Sequence, residues 1–461
     1  MHLTHSFLEL CDEWRWVFRQ ERSFRRATSM ITSAMLCAGR KWVTRLRCVR
    51  GGEDSDWSAD YKLFSRSQWR AQDLFDPAVR ESLKYFGGGP IRLAGDETRT
   101  ARGGRKVKRS RWTRDPMSPP FNVNLVKGIR WVQFSALLPL HCTDDVSARG
   151  IPVSFEPVDL PAKPGRKATP EEREEYERAK KQNNMCLRTV EQLQELRARY
   201  DRAGAADRQI LAALDGGFCN RTMFRAELDR ITLAARCRKD AKLCLPAENP
   251  DHPKKIYSDE KFTPEEVRKD NSIPYQTEMI YFGGKYRKIK YKEINYVLWQ
   301  RGARQKRLRL LVIAPTSYKL SPGMPRYYRQ PAYLLVTDNE TSTGEILQCY
   351  FDRWQIEVNH RDEKQHIGIT DAQVWNDNSV DRLPAFMVAG YSFLMLAALK
   401  AFGPRRTQDY IQPPKWQKKT RKRPSCLDLI AKLREEAFQY PEIQKKLDFN
   451  INMLNILRRA A

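Results

Sequence analysis

The stretch from Ser342 to Gly368 constrains this chain more than any other, because it opens a helix and gives that helix two chemically different faces. Ser342-Thr343-Gly344-Glu345 is a capping box, in which serine and glutamate side chains satisfy the first free backbone N–H groups. At 100° per residue from Tyr350, Arg353 falls at about 300°, Glu357 at about 340° and Lys364 at about 320°. The four therefore share an arc of roughly 60° on one helix. Leu347, Phe351, Trp354 and Val358 form a neighbouring apolar stripe, suited to docking on a core while the polar face looks into a cleft. A carboxylate on that face can hold a metal ion, and Arg and Lys beside it can hold phosphates. The plainer reading is an amphipathic surface helix with ordinary ion pairs, and the position of the other acids separates the two.

Upstream, the chain divides by texture. Residues 1–88 read as helical: Phe24, Ala27, Met30, Ile31, Ala34 and Met35 recur at helical spacing, and the pattern resumes over Lys41 to Val49. Lys41, Arg45, Arg47 and Arg50 are expected to face solvent there. Two readings are open, a helix-turn-helix-like DNA reader and an ordinary helical hairpin with a basic face. Gly87-Gly88-Gly89-Pro90 marks a boundary.

Residues 89–402 read as a core. Ile91 to Gly95, Phe121 to Val126, Ile129 to Leu138, Ile151 to Phe155 and Gln209 to Leu214 are strand candidates. A capping box at Thr169-Pro170-Glu171-Glu172 starts one long charged helix toward Arg202. From about 240 to 330 a basic, aromatic, β-rich stretch reads as an insertion before the last core strand, Tyr333 to Thr337. Residues 403–461 form a basic, proline-containing tail with Lys415, Lys418, Lys419, Arg421, Lys422 and Arg423, followed by a helix from Cys426. A solvated linker and non-specific phosphate contact both suit that tail.

Lys and Arg number 83 against 56 Asp and Glu, a formal charge of +27. Such an excess favours a polyanionic partner, because every phosphate neutralised releases counterions. The N-terminus, MHLTHSFLELCDEW, lacks the long apolar run of a signal peptide, and the uncharged stretch Leu383 to Leu399 contains Pro384 and Gly390. A buried core helix is expected there and no membrane partner. The ten cysteines show no CxxC pair, which suits a reduced, cytoplasmic protein without structural zinc.

Asp96 and Asp215 each follow an apolar strand candidate, and Glu357 lies on a helix after a third. Three carboxylates brought together repel unless a cation neutralises them, so their convergence would call for Mg²⁺ or Mn²⁺. Glu97 points to the opposite side of its strand from Asp96, and Asp144-Asp145 lies in a turn-like, solvated stretch.

With these residues in view, the pattern Tyr350-x2-Arg353-x3-Glu357-x6-Lys364 resembles the YREK signature of bacterial DDE transposases of the insertion-sequence-four (IS-four) family. LAGDETRTARGGRKVKRSRW around Asp96 is similar to that family's first-acid region, and LDGGFCN around Asp215 to its second. The resemblance implies an α/β fold: a ribonuclease H-like mixed sheet flanked by helices, with a β-rich insertion. Asp96, Asp215 and Glu357 would be catalytic metal ligands for two Mg²⁺ or Mn²⁺ ions, activating and stabilising the reacting oxygens of an in-line displacement. Tyr350, Arg353 and Lys364 would contact DNA. The family implies double-stranded DNA partners, terminal inverted repeats and target, a homodimer on paired ends, and association with the nucleoid. Trp299 is a candidate for stacking on a flipped base, with ordinary core packing as the alternative. Two rival functions share the core: a nuclease that cuts without joining, and a transposase-derived DNA-binding protein without turnover.

Overall fold

The computed structural model describes all residues except 1, 53, 55, 105, 106, 108, 116, 117, 120, 248–254, 320–322, 415, 417–420 and 441–461. Lys415, Lys418 and Lys419 of the basic tail, Arg105, Lys106 and Lys108 of the loop after Asp96, and the end of the 403–461 segment thus lie outside the described residues. The chain forms two compact units, each assembled from separate stretches: Met1–Gly87, Glu97–Met185 and Ile356–Ala461 in the first, Gly88–Asp96 and Cys186–Gln355 in the second. The architecture is mixed α/β, with mixed sheet flanked by helices as in ribonuclease H-like folds.

In the first unit the sheet comprises the second half of β1 (Ile91–Ala101), β2 (Arg111–Arg114), β3 (Leu125–Leu138) and β4 (Arg149–Pro157). β2 and β4 pair antiparallel with β3, and β3 lies beside β1. The approach of β3 to β1 is tight: a Cβ on Gly128 would sit 2.5 Å from the Thr100 carbonyl oxygen. β3 begins only at Leu125, and Phe121, expected in a strand, is exposed.

Helices cover this sheet. The apolar stretch around Leu383 lies within a helix, Asp377–Phe402, whose most apolar window is 83% buried. Its Phe386 and Phe393 pack on Trp14, with ring centroids 5.4 and 4.9 Å apart. The helix Glu21–Leu36 buries Phe24, Ala27, Met30, Ile31, Ala34 and Met35, and its Ile31 closes on Gly390. The basic face expected over Lys41 to Arg50 is not free surface. Lys41 and Arg45 are buried, and Arg47 and Arg50 reach the buried Asp60 at 2.7 and 2.5 Å. Asp60, supplied from a different helix, turns Arg47 and Arg50 inward, which periodicity along one segment cannot reveal.

The long charged helix expected from Thr169 is interrupted. Its capping box forms, but Pro170–Gln182 ends at Asn183 and a second helix runs over Met185–Tyr200. The first piece buries nothing, whereas the second buries Leu193, Leu196 and Tyr200.

The second unit carries the first half of β1, then β5 (Ile210–Leu214), β6 (Ile231–Arg236), β7 (Leu243–Pro246), β8 (Tyr257–Phe262), β9 (Gln276–Tyr281), β10 (Tyr286–Leu298) and β11 (Arg307–Ile313). Two short strands follow, β12 (Ser317–Tyr318) and β13 (Tyr327–Tyr328), and then β14 (Ala332–Val336). β1, β5 and β6 are parallel neighbours, and their apolar, fully buried β5 is what a strand covered on both faces requires. β14 pairs antiparallel with β6, β11 with β14, and β10 with β11. β9 and β10 form a hairpin whose turn, Gly283-Gly284, has φ of 63° and 80°, a conformation that glycine adopts without strain.

Candidate metal and nucleic-acid site

The parallel register of the second unit fixes the site's first coordinates. Gly95 pairs with Leu214 and Leu214 with Ala235, so Asp96, Asp215 and Arg236 are the next residues along three adjacent strands. Neighbouring strands lie about 4.8 Å apart. Two carboxylates and a guanidinium therefore form one row at a common level of the sheet. Asp215 is the first residue beyond β5, as expected, whereas Asp96 lies inside β1 and not at its end. The second half of β1, Glu97–Ala101, carries charged and hydroxyl residues and lacks an apolar signal. It is held as strand by its neighbour β3. In the first unit Glu97 is engaged by Arg130, whose Nε donates to Oε1 at 2.8 Å.

The helix Thr343–Asp352 docks over these strands through Ile346, Leu347 and Cys349, all buried. Cys349 Sγ lies 3.8 Å from the Leu93 carbonyl and 3.6 Å from that of Leu211. Gln348 fixes the helix to β9, accepting from the Tyr281 N–H at 2.9 Å and donating to its carbonyl at 3.1 Å. The next turn then aims Arg353 at the two acids. Its Nη1 lies 3.5 Å from Asp96 Oδ2 and its Nη2 4.0 Å from Asp215 Oδ1. The Arg353 side chain is 15% exposed, Asp96 21% and Asp215 49%. One guanidinium thus neutralises two carboxylates at a mouth open to solvent on the Asp215 side.

Tyr350 is largely buried one turn earlier. Burial pushes its phenol up, against the opposing pull of Arg236, Arg353 and Arg329. Arg236, level with the two acids, is a residue that helix periodicity missed, whereas Arg329 reaches Tyr350 only through its charge. The parallel pairing of Ile231–Arg236 with Ile210–Leu214 is the signal for the first, because it sets the residue after Ala235 level with Asp215.

The four signature positions do not ride one uninterrupted helix. The run Thr343–Asp352 passes through Arg353, still in helical conformation at φ −49° and ψ −30°, into Trp354–Asp362, and widens to a π-turn over Glu363–Ile367 before Gly368, at φ 69°, ends it. A constant 100° step fails past Asp362. The expected apolar stripe also changes: Trp354 is 56% exposed, and Ile346, Leu347, Cys349 and Ile356 form the buried side. Glu357 is half-buried on Trp354–Asp362 and Lys364 is exposed on the π-turn, both in the first unit. Trp299 is half-buried, edge-on to Phe224 with centroids 5.6 Å apart, and Gly302 packs so closely on its ring that a Cβ would lie 2.0 Å away.

Among the described residues no three His, Cys, Asp or Glu side chains form a ready metal cage. The cation between Asp96 and Asp215 in this structure is Arg353. The donor set nevertheless fits Mg²⁺ or Mn²⁺, which take carboxylate oxygens, because both aspartates already converge on one positive charge.

A ribonuclease H-like sheet with aligned acids on its parallel strands defines a class of nucleic-acid-processing enzymes. Residues 17–306 match the family described as DDE superfamily endonuclease, and the chain belongs to that family. The match contains Asp96 and Asp215 and ends before Glu357. No curated protein sequence matches the chain. Membership implies a nuclease-like enzyme acting on DNA with divalent metal.

Proposed function

We propose that this protein is a metal-dependent DNA transposase of the IS-four kind, which binds the terminal inverted repeats of its own element, cuts there and joins the freed 3′ ends to target DNA. The alignment of Asp96 and Asp215 on adjacent parallel strands, with Arg353 across both, carries the reading. Asp96 and Asp215 would hold the divalent ion, with Glu357 as the third ligand by analogy of its place in the YREK pattern. Held there, a divalent ion would supply charge neutralisation at the scissile phosphate and polarisation of the attacking oxygen. Arg353, released from the aspartates, presents a planar fork to a phosphate, and Lys364 offers an exposed point charge to another. Tyr350, held among arginines, supports the backbone-binding face. The formal charge of +27 draws DNA to the protein at long range. Pairing of two ends by a homodimer, and a place in the cytoplasm on the nucleoid, complete the proposal.

Product analysis tests it. Purified protein incubated with DNA carrying the repeats that flank its gene, in Mg²⁺ or Mn²⁺, should yield cuts at the repeat boundary and joints to target DNA. Nicks alone would assign the nuclease, and retention of DNA without cutting would assign the DNA-binding derivative.

A further inference from the structure

The π-turn that carries Lys364 is anchored by a buried acid. Glu363 is fully buried, and its Oε1 accepts from Gln133 Nε2 at 2.8 Å. Two oxygens at this pair have no hydrogen-bond partner, Glu363 Oε2 and Gln133 Oε1. A carboxylate and an amide carbonyl left without donors in the interior each carry an uncompensated desolvation penalty, larger for the charge. A single proton on Glu363 Oε2 removes both deficits, because an acid and a primary amide can exchange two hydrogen bonds in one ring.

The same pair begins a chain of buried hydrogen bonds within the first unit. Gln133 Nε2 also lies 3.2 Å from Ser135 Oγ, which donates to Asn359 Oδ1 at 2.9 Å. Asn359 donates to the Gly150 carbonyl and to the Tyr391 hydroxyl, and Tyr391 reaches Asp362 Oδ2 at 3.3 Å. Asp362 is in turn paired with Arg361 at 2.8 Å. Of two adjacent buried acids, then, Asp362 has a cation and Glu363 has an amide. The backbone closes the turn on the same residue, since the Ile369 N–H donates to the Glu363 carbonyl at 3.1 Å.

We propose that Glu363 is a positioning residue held as the neutral acid by Gln133, and that this pairing sets the turn from which Lys364 projects. The role of Lys364 rests on the function proposed above; the protonation of Glu363 does not. Burial pushes the Glu363 carboxyl up to about 8, Gln133 and Lys364 oppose that rise, and Asp362 adds to it. Tyr391, on Asp377–Phe402, is the titratable group facing the pair from the long helix, and burial drives its phenol well above its ordinary value. It therefore stays neutral through the range in which Glu363 titrates.

Between the ordinary 4.5 and about 8 the folded chain keeps a proton that the unfolded chain has lost. This group's contribution to stability therefore falls as pH rises through that window and levels off above it. Glu363→Gln supplies the same ring without a titrating proton. The test compares full-length wild type and Glu363→Gln in two measurements: thermal midpoints from pH 5 to 9, and affinity for a fluorescent duplex bearing the flanking repeats. The midpoint of the variant should gain on wild type steadily up to pH 8 and then run parallel. At pH 9 the ionised acid outnumbers the neutral one about ten to one. Wild type should then bind DNA up to about tenfold more weakly than at pH 7 relative to Glu363→Gln, as the competent fraction shrinks. Midpoints that stay parallel throughout, or a variant that loses DNA affinity at pH 7, would overturn the proposal. A Lys364→Ala protein that binds DNA like wild type would instead remove Lys364 from the DNA contact, leaving the midpoint curves to report on Glu363 alone.

Discussion

Arg353 stands where the metal is proposed to act, and this makes a quantitative prediction. Its two nitrogens lie 3.5 and 4.0 Å from Asp96 and Asp215. At such distances one charge pair is worth about 1 kcal/mol in bulk water and about 4 kcal/mol at an effective dielectric of 20. Asp215 is half-exposed and belongs near the lower figure, while Asp96 is less exposed and belongs between them. Arg353→Gln should therefore destabilise the metal-free protein by roughly 1–3 kcal/mol, because two neighbouring carboxylates lose their shared cation. Mn²⁺ should then return more stability to the variant than to wild type, since in wild type the ion must first displace the guanidinium. Each tenfold gain in metal affinity adds about 1.4 kcal/mol at saturating metal. Thermal unfolding of both proteins in EDTA and across a Mn²⁺ titration reads the difference directly. A metal-induced shift in the variant equal to or smaller than that of wild type would refute the idea that Arg353 and the ion compete for the same carboxylates.

Two further substitutions probe the framework of the first unit. Asp60 is buried against Arg26, Arg47 and Arg50, and Asp60→Ala should cost about 3–5 kcal/mol by stranding those cations, measured by urea unfolding. Gly128→Ala should cost at least about 1–3 kcal/mol, because the new Cβ meets the backbone oxygen of Thr100 at 2.5 Å and not a movable side chain; a thermal midpoint within error of wild type would contradict this.

The sequence reveals those features whose signal is local. Gln209 to Leu214 stops at Asp215-Gly216-Gly217, so a buried strand ending just before Asp215 was legible. The capping serine before Glu345 was legible for the same reason, and its side chain does accept from the Glu345 N–H. The extent of β1 was not, because Glu97 to Ala101 owes its strand conformation to pairing. The π-turn after Asp362 leaves no trace in a 100° wheel, and Lys364, which it carries, is exposed while Tyr350 and Arg353 are partly buried. Nor did sequence show that Arg353 would close on both aspartates. That contact follows from the register of Gly95 with Leu214 and from the seating of Cys349 on β1 and β5.

The central claim, that Asp96 and Asp215 serve with Glu357 as the acids of a metal-dependent DNA-cutting enzyme, is tested most directly by cleavage of end-labelled DNA bearing the flanking repeats. Wild type, Asp96→Asn, Asp215→Asn and Glu357→Gln would be compared in Mn²⁺ and in EDTA, with DNA binding measured in parallel. The account predicts metal-dependent cuts by wild type and at least a roughly hundredfold loss in each variant, with DNA binding retained. Cleavage near the wild-type rate by the Asp96 or Asp215 variant would contradict it, and the same result for Glu357→Gln alone would leave the two aligned aspartates in place and send the search for the third ligand elsewhere.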